Sequence, residues 1–130
     1  MLVDSSVWVD YLSNRESPLV ALLDRSLRES RLVATTGVIL QEILQGARTE
    51  RAFHLLRSRL ARLAYLPATK ETFVAAAALH RKARGHGMTV PTVDALIAST
   101  AISHGAPLLT ADAHFRALAS VSKLRLVSAA

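Results

Sequence analysis

Short apolar segments alternate with longer stretches of helical periodicity along the whole chain, and this alternation restricts the folds that it can adopt. The segments that read as buried strands cover residues 2–4, 31–34, 65–67, 107–110 and 124–127. The stretches between them place apolar residues three and four positions apart, which is typical of amphipathic helices. Helices alternating with short strands predict an α/β fold, a three-layer α/β/α sandwich around a short, mostly parallel sheet.

Capping residues and glycines indicate where the helices begin and end. Thr35 or Thr36 is expected to cap a helix that runs through Gln45, and Thr92 to cap the helix that contains Asp94. The other helices are expected to begin near residues 5, 18, 49, 69 and 113.

Composition restricts the class of protein further. A chain of 130 residues with 51% hydrophobic residues is long and apolar enough for one folded domain, which we expect to span residues 1–130. No apolar run approaches the roughly 20 residues of a membrane span, so no membrane association is expected. The N-terminus lacks the basic region of a signal peptide, and the chain has no cysteine. We therefore expect a cytoplasmic protein.

Four carboxylates occupy positions where a β/α protein usually builds a functional site: Asp4, Glu42, Asp94 and Asp112. Asp4 ends the first apolar segment and Asp112 follows the fourth, while the other two belong to helices. Acids that converge without basic partners repel one another, so they require a compensating cation. Oxygen ligands suit Mg²⁺ or Mn²⁺. The pattern therefore predicts metal-assisted phosphate chemistry.

Each acid also has an ordinary structural explanation. Asp4 and Asp112 are possible helix caps, and Asp94 is a possible first-turn residue that interacts with the helix dipole. Glu42 lies in the apolar run 38–44 and is a possible exposed edge of its helix. These explanations account for single positions better than for the four together.

Polar neighbours accompany the acids. Ser6 and Thr110 lie two residues after Asp4 and two before Asp112, where their hydroxyls can hold carboxylates or water in place. Capping and turn hydrogen bonds explain these hydroxyls about equally well. His114 is close enough in sequence to reach the same site, but a histidine beside a helix start is more often a surface residue.

The charge balance favours a polyanionic substrate. Sixteen Lys and Arg residues against ten Asp and Glu give a net charge of +6. If four acids hold a metal, only six acids remain against the sixteen basic residues, an excess of ten positive charges. A genomic preference for arginine is the alternative source of this charge, since Lys occurs only at Lys70, Lys82 and Lys123.

Four segments together resemble the PIN-domain ribonucleases, specifically the VapC-type toxins of toxin–antitoxin pairs. They are residues 2–10, 41–47, 92–98 and 108–115. The resemblance implies that Asp4, Glu42, Asp94 and Asp112 form the acidic quartet that holds Mg²⁺ or Mn²⁺. Ser6 and Thr110 match the accessory polar positions. Many relatives have an aspartate where this chain has His114, which puts a fifth acidic ligand in doubt.

The resemblance implies a cytoplasmic metal-dependent endoribonuclease in which metal-activated water cleaves RNA. Asp4 and Asp94 are expected to be direct ligands, with Glu42 and Asp112 completing the shell. A homodimer and a cognate VapB-like antitoxin that blocks the site are implied as well. Arg48 and Arg84 are candidate RNA contacts, although an arginine at such a position is more often a solvated residue of a helix end.

Two other functions are alternatives for this pattern of residues. The first is a catalytically silent RNA-binding or partner-binding domain of the same fold, which keeps the basic surface without metal-dependent cleavage. The second is a phosphotransfer domain. A phosphatase of that kind needs a second aspartate two residues after the first, where this chain has Ser6, and Lys123 is poorly placed for a receiver domain.

Overall fold

The computed structural model describes residues 1–129, which contain four short strands and seven helices. In chain order the elements are β1 (Leu2–Val3), α1 (Ser5–Leu12), α2 (Pro18–Arg28), β2 (Ala34–Thr35), α3 (Gly37–Leu44), α4 (Glu50–Leu60), β3 (Ala64–Tyr65), α5 (Lys70–Gly85), α6 (Thr92–Ser103), β4 (Leu108–Leu109) and α7 (His114–Ser120). Strands alternate with helices or helix pairs, which confirms the predicted α/β class.

The sheet has the strand order β3-β2-β1-β4, and all of its pairings are parallel. The carboxyl ends of the strands therefore lie along one edge. Successive side chains of a strand point to opposite faces, and Leu2 and Val3 of the central strand are both fully buried. Helices must then cover both faces of the sheet. This arrangement confirms the predicted three-layer sandwich.

The strands are shorter than predicted, because a helix begins almost directly after two of them. Asp4 is the N-cap of α1 and Thr36 is the N-cap of α3, so β1 and β2 end one residue earlier. The prediction that β2 spans residues 31–34 was wrong, because the strand lies further toward the C-terminus, at Ala34–Thr35. Leu32 is 75% exposed, and its carbonyl accepts a hydrogen bond from the amino group of Met1 at 2.9 Å.

The predicted fifth strand at residues 124–127 is instead a single parallel bridge between Leu108 and Leu126. The backbone of this segment exchanges two hydrogen bonds with Leu108, one from Leu108 to Arg125 and one from Val127 to Leu108. The Leu124 amide donates to the Ser122 hydroxyl at 3.2 Å, so a local turn uses the donor that a longer strand would have needed.

One predicted cap was wrong, and one was confirmed in position only. Pro91, not Thr92, is the N-cap of α6, and Thr92 is its first residue. Thr36 does occupy the N-cap position of α3, but its hydroxyl donates to the Leu66 carbonyl at 2.6 Å and does not cap the helix. That bond ties the start of α3 to the end of β3. Within the described residues, no helix is both long and apolar enough to cross a membrane.

Candidate active site

The carboxyl edge of the sheet is where the four predicted acids belong in this topology. Asp4 directly follows β1, and Asp112 lies three residues after β4, which pairs with β1. Glu42 lies on α3, which begins just after β2, and Asp94 is the third residue of α6. Electrostatic coupling shows that they converge, because Asp112, Asp4 and Glu42 each act to raise the pKa of Asp94.

Asp4 is 5% exposed and is held by two hydroxyl groups. Its Oδ2 atom accepts hydrogen bonds from Ser6 Oγ at 2.8 Å and from Thr110 Oγ1 at 2.9 Å. The side chain makes no capping bond to α1, although the Asp4 backbone stands at the N-cap position. The carboxylate is therefore bound by Ser6 and Thr110 and does not cap the helix.

Backbone amides determine the direction of both hydroxyls. The Ala111 amide donates to Ser6 Oγ at 3.1 Å, and the Asp112 amide donates to Thr110 Oγ1 at 3.0 Å. Each hydroxyl oxygen accepts from the backbone and donates its proton to Asp4. Both Ser6 and Thr110, predicted as accessory residues, thus hold the same carboxylate oxygen.

Asp94 lies in an environment that disfavours its negative charge. The residue is 9% exposed, and its buried Oδ2 atom makes no hydrogen bond within residues 1–129. Burial is the largest cause that raises its pKa, to about 6, and repulsion from Asp112, Asp4 and Glu42 acts in the same direction. His114 opposes the rise. A buried acceptor among like charges is the environment that a cation stabilises.

Glu42 is half-buried on α3 and faces the same group of charges. Its pKa is raised, first by burial and then by repulsion from Asp4, while a hydrogen bond from Ser5 lowers it. That bond is long, at 3.4 Å between Ser5 Oγ and Glu42 Oε1. Glu42 is thus neither the fully buried acid that its apolar helix suggested nor a freely exposed edge residue.

Asp112 and His114 form one local unit at the start of α7. The backbone amide of His114 donates to Asp112 Oδ1 at 2.9 Å, which forms a local turn before α7. Asp112 is not the cap of this helix, because Ala113 occupies the N-cap position and no side chain caps it. The His114 ring turns back toward the acids. Its Nδ1 atom lies 3.1 Å from Asp112 Oδ1 and 3.5 Å from Asp94 Oδ2.

The donor set fits a divalent cation. One oxygen of Asp94, one oxygen of Asp112 and one ring nitrogen of His114 all lie within 4.8 Å of one another. Asp4 and Glu42 add negative charge beside this group, since both raise the pKa of Asp94. Sequence reasoning undervalued His114. The available signal was its spacing from Asp112, because a residue two positions after a turn aspartate lies beside it, whereas its contact with Asp94 depends on tertiary packing.

The sequence profile of the PIN domain family matches residues 1–121. The chain is also 34% identical over 131 aligned positions to a VapC ribonuclease of Mycobacterium bovis, with 98% of each chain covered. The same identity and coverage hold for ribonuclease VapC11 of Mycobacterium tuberculosis. The protein belongs to the PIN domain family, and the resemblance inferred from its sequence is confirmed.

Solved structures agree on the fold. The chain is similar to a chain of VapBC2 from Rickettsia felis bound to a promoter DNA fragment, with a TM-score of 0.78 and 20% identity, covering 97% of this chain and 96% of that one. A DNA-bound VapBC from Salmonella typhimurium matches with a TM-score of 0.77 and 19% identity, covering 99% of this chain and 97% of that one. At these identities the likeness establishes the fold alone.

Proposed function

We propose that this protein is a metal-dependent endoribonuclease and the toxin of a VapBC-type toxin–antitoxin pair. The observation that carries the proposal is the buried, unpartnered Oδ2 atom of Asp94 within a cluster of converging carboxylates. Such a cluster costs stability unless a cation compensates it. The relatives named VapC ribonuclease support RNA as the substrate. A catalytically silent binding domain would have no need of this arrangement.

Asp4, Glu42, Asp94 and Asp112 are proposed to hold Mg²⁺ or Mn²⁺, since oxygen ligands suit both ions. A divalent ion in such a site polarises the scissile phosphate and lowers the pKa of bound water. Asp94 contributes its unpartnered oxygen directly. Asp4 receives both of its hydroxyl hydrogen bonds on Oδ2, so Oδ1 remains for a second direct contact.

Glu42 and Asp112 are proposed to complete the site. Glu42 is half-buried with a raised pKa, which suits a group that orients the attacking water and accepts its proton. Ser6 and Thr110 are positioning residues. They fix Asp4 through two hydrogen bonds that are themselves anchored to the backbone of residues 111 and 112.

The basic surface is proposed to bind the RNA backbone. Arg48 is exposed just beyond α3, the helix that carries Glu42, and forms no ion pair within the described part of the chain. Arg84, in the last turn of α5, is exposed as well. Their positive charges would hold the phosphates of a strand whose scissile bond reaches the acidic site.

A cognate VapB-like antitoxin is the proposed partner, in keeping with the VapBC complexes among the structural neighbours. A groove of about 710 Å³ beside α1, α2 and α4 offers an apolar surface for it. Arg31, Arg59 and Arg62 add positive charge at the border of this groove. An amphipathic segment with acidic flanks would match both features.

The protein is also proposed to be a cytoplasmic homodimer that folds as one PIN domain over residues 1–130. Exposed apolar side chains on α5 support self-association, because Phe73 is 54% and Val74 56% exposed.

The decisive experiment maps new RNA 5′ ends after a pulse of expression, with wild type beside Asp4→Asn. Purified free protein should cleave the same sites, lose cleavage in EDTA and regain it with added Mn²⁺. Specific 5′ ends that persist in Asp4→Asn, or undiminished cleavage in excess chelator, would overturn the proposal. Binding of RNA without any cleavage would favour the silent domain.

A further inference from the structure

The His114 ring lies against two of the acids without making a hydrogen bond to either. Its Nδ1 atom is 3.1 Å from Asp112 Oδ1 and 3.5 Å from Asp94 Oδ2. Asp94 Oδ2 is buried and makes no hydrogen bond among the described residues, and Asp112 Oδ1 already accepts the His114 backbone amide. The ring nitrogen and two oxygens thus surround one position from three elements: α6, α7 and the turn between β4 and α7.

These separations match ligands of one ion. Two atoms about 2.1 Å from an octahedral ion lie about 3.0 Å apart when they are adjacent. The two nitrogen–oxygen distances, 3.1 and 3.5 Å, are close to that value, and all three atoms fall within 4.8 Å. An aspartate at position 114 would offer oxygen there, whereas this chain offers an imidazole nitrogen. The site therefore offers both oxygen and nitrogen ligands.

We propose that His114 is a nitrogen ligand of the metal centre, through Nδ1, and that it makes the site prefer Mn²⁺ over Mg²⁺. The inference rests on the proposed metal-dependent function and deepens it. Imidazole binds first-row transition ions well, whereas Mg²⁺ strongly favours oxygen ligands and water. His114 thereby selects which ion the protein uses, while the carboxylates supply most of the negative charge that any divalent ion requires.

Substitutions at position 114 should leave the fold intact. The side chain is 53% exposed, and the turn hydrogen bond to Asp112 comes from the backbone amide, which every variant keeps. His114→Asp restores an oxygen ligand, and His114→Ala removes the ligand altogether. His86→Gln is the matched control, because His86 is an exposed histidine whose Nδ1 atom lies 2.9 Å from the Lys82 carbonyl, outside the acidic group.

The test measures metal binding to protein freed of its purification tag. Calorimetric titration with Mn²⁺ and with Mg²⁺ gives the ratio of the two affinities, and pulsed electron paramagnetic resonance detects ¹⁴N coupled to bound Mn²⁺. Wild type and His86→Gln should show the nitrogen coupling, and both His114 variants should lose it. His114→Asp should reduce the Mn²⁺ preference about tenfold or more, as expected when a group that tunes a metal site is lost.

Bound Mn²⁺ without nitrogen coupling in wild type would overturn the role of His114, even if RNA cleavage stays metal-dependent. An unchanged affinity ratio in His114→Asp would do the same. In both cases the proposed nuclease function would stand. If wild type binds neither ion, the metal centre itself is absent and the proposed function fails together with this inference.

Discussion

The acidic site and the groove beside α1, α2 and α4 each contain a buried polar atom without a partner in residues 1–129, but the two atoms have opposite character. Asp94 Oδ2 is an acceptor among like charges, and Trp8 Nε1 is a donor in an apolar wall. A cation would compensate the first, whereas the second lies in the wall of the groove that the proposed partner would cover. Their contrast suggests that chemistry and partner recognition occupy separate surfaces.

Separate surfaces allow each function to be altered alone. The acidic site is built from helix starts and turns at one edge of the sheet, where polar groups hold one another in position. The groove is built from helix faces whose side chains continue the core, such as Leu60 and Leu27. Substitutions in the site should change cleavage and spare partner binding, and substitutions in the groove should do the reverse.

The largest effect is expected for Asp94→Asn. The change removes the negative charge and one of the two oxygens of Asp94, so RNA cleavage by the free protein should fall by about a hundredfold or more, the range seen when one preorganised electrostatic group is lost. Because repulsion within the cluster is relieved, the metal-free variant should melt at or above the temperature of wild type. Cleavage assays and thermal melting in chelator measure the two effects.

Antitoxin binding to Asp94→Asn serves as the control and should remain near the wild-type value. A loss of about 3 kcal/mol or more of folding free energy would instead identify Asp94 as part of a structural network, because that is the cost of breaking a buried polar pair.

The groove gives the next largest effect. Leu56 lines it, whereas the neighbouring Leu55 is 58% exposed and lies outside it. Leu56→Ala should weaken antitoxin binding about tenfold, as expected for truncation of one apolar interface contact. Leu55→Ala should change binding little, and both variants should retain cleavage. Titration calorimetry with the purified antitoxin makes the comparison. Equal losses for the two variants would mean that the partner binds elsewhere.

A smaller effect should appear in the pH dependence of stability. Folding raises the pKa of Asp94 from 3.8 to about 6, so the folded state holds the proton more tightly than the unfolded state. The resulting stabilisation is complete below pH 3.8 and is lost as pH rises through about 6. Asparagine does not titrate. Metal-free wild type should therefore lose stability relative to Asp94→Asn between about pH 4 and pH 7.

Denaturant unfolding of dialysed, metal-free protein at several pH values tests this expectation. The difference between wild type and Asp94→Asn is the relevant quantity, because it removes the contributions of acids and histidines remote from Asp94 and leaves those of Asp94 and the groups coupled to it. A constant difference across the range would mean that Asp94 does not titrate between its two expected values.

The fold class and the four acids were accessible from sequence because their signals are periodic or local. Apolar segments mark strands, and an acid just beyond a strand such as Asp4 marks the edge where sites form. The resemblance then added the ordered set of motifs. The roles of the acids stay predictions, since the geometry brings them together without a reaction being observed.

Other features depend on contacts between distant residues, which sequence patterns do not report. Thr35 or Thr36 was expected to be the N-cap of α3, and Thr36 does occupy that position, but the Leu66 carbonyl, 30 positions away, accepts its hydroxyl proton. Ser6 and Thr110 lie more than 100 positions apart and meet on one oxygen of Asp4. The direction of the His114 ring likewise follows from tertiary packing, so its proximity to Asp94 was beyond the reach of spacing arguments.

The smallest expected effect concerns the basic surface. This surface is proposed to bind RNA, as the acidic site does, whereas the groove is proposed to bind the antitoxin. In an inactive Asp4→Asn background, RNA affinity should fall steeply with salt, with a logarithmic slope of about −0.7 for each phosphate neutralised. Arg48→Ala should make the slope shallower by about 0.7, since one phosphate contact is lost.

Arg28→Ala is the control, because Arg28 already pairs with Asp24 at 2.9 Å. Filter binding or fluorescence anisotropy across a salt series measures both slopes. Equal slopes for Arg48→Ala and Arg28→Ala would remove Arg48 from the RNA path, and a flat salt response in the parent protein would assign the positive charge to genomic arginine preference.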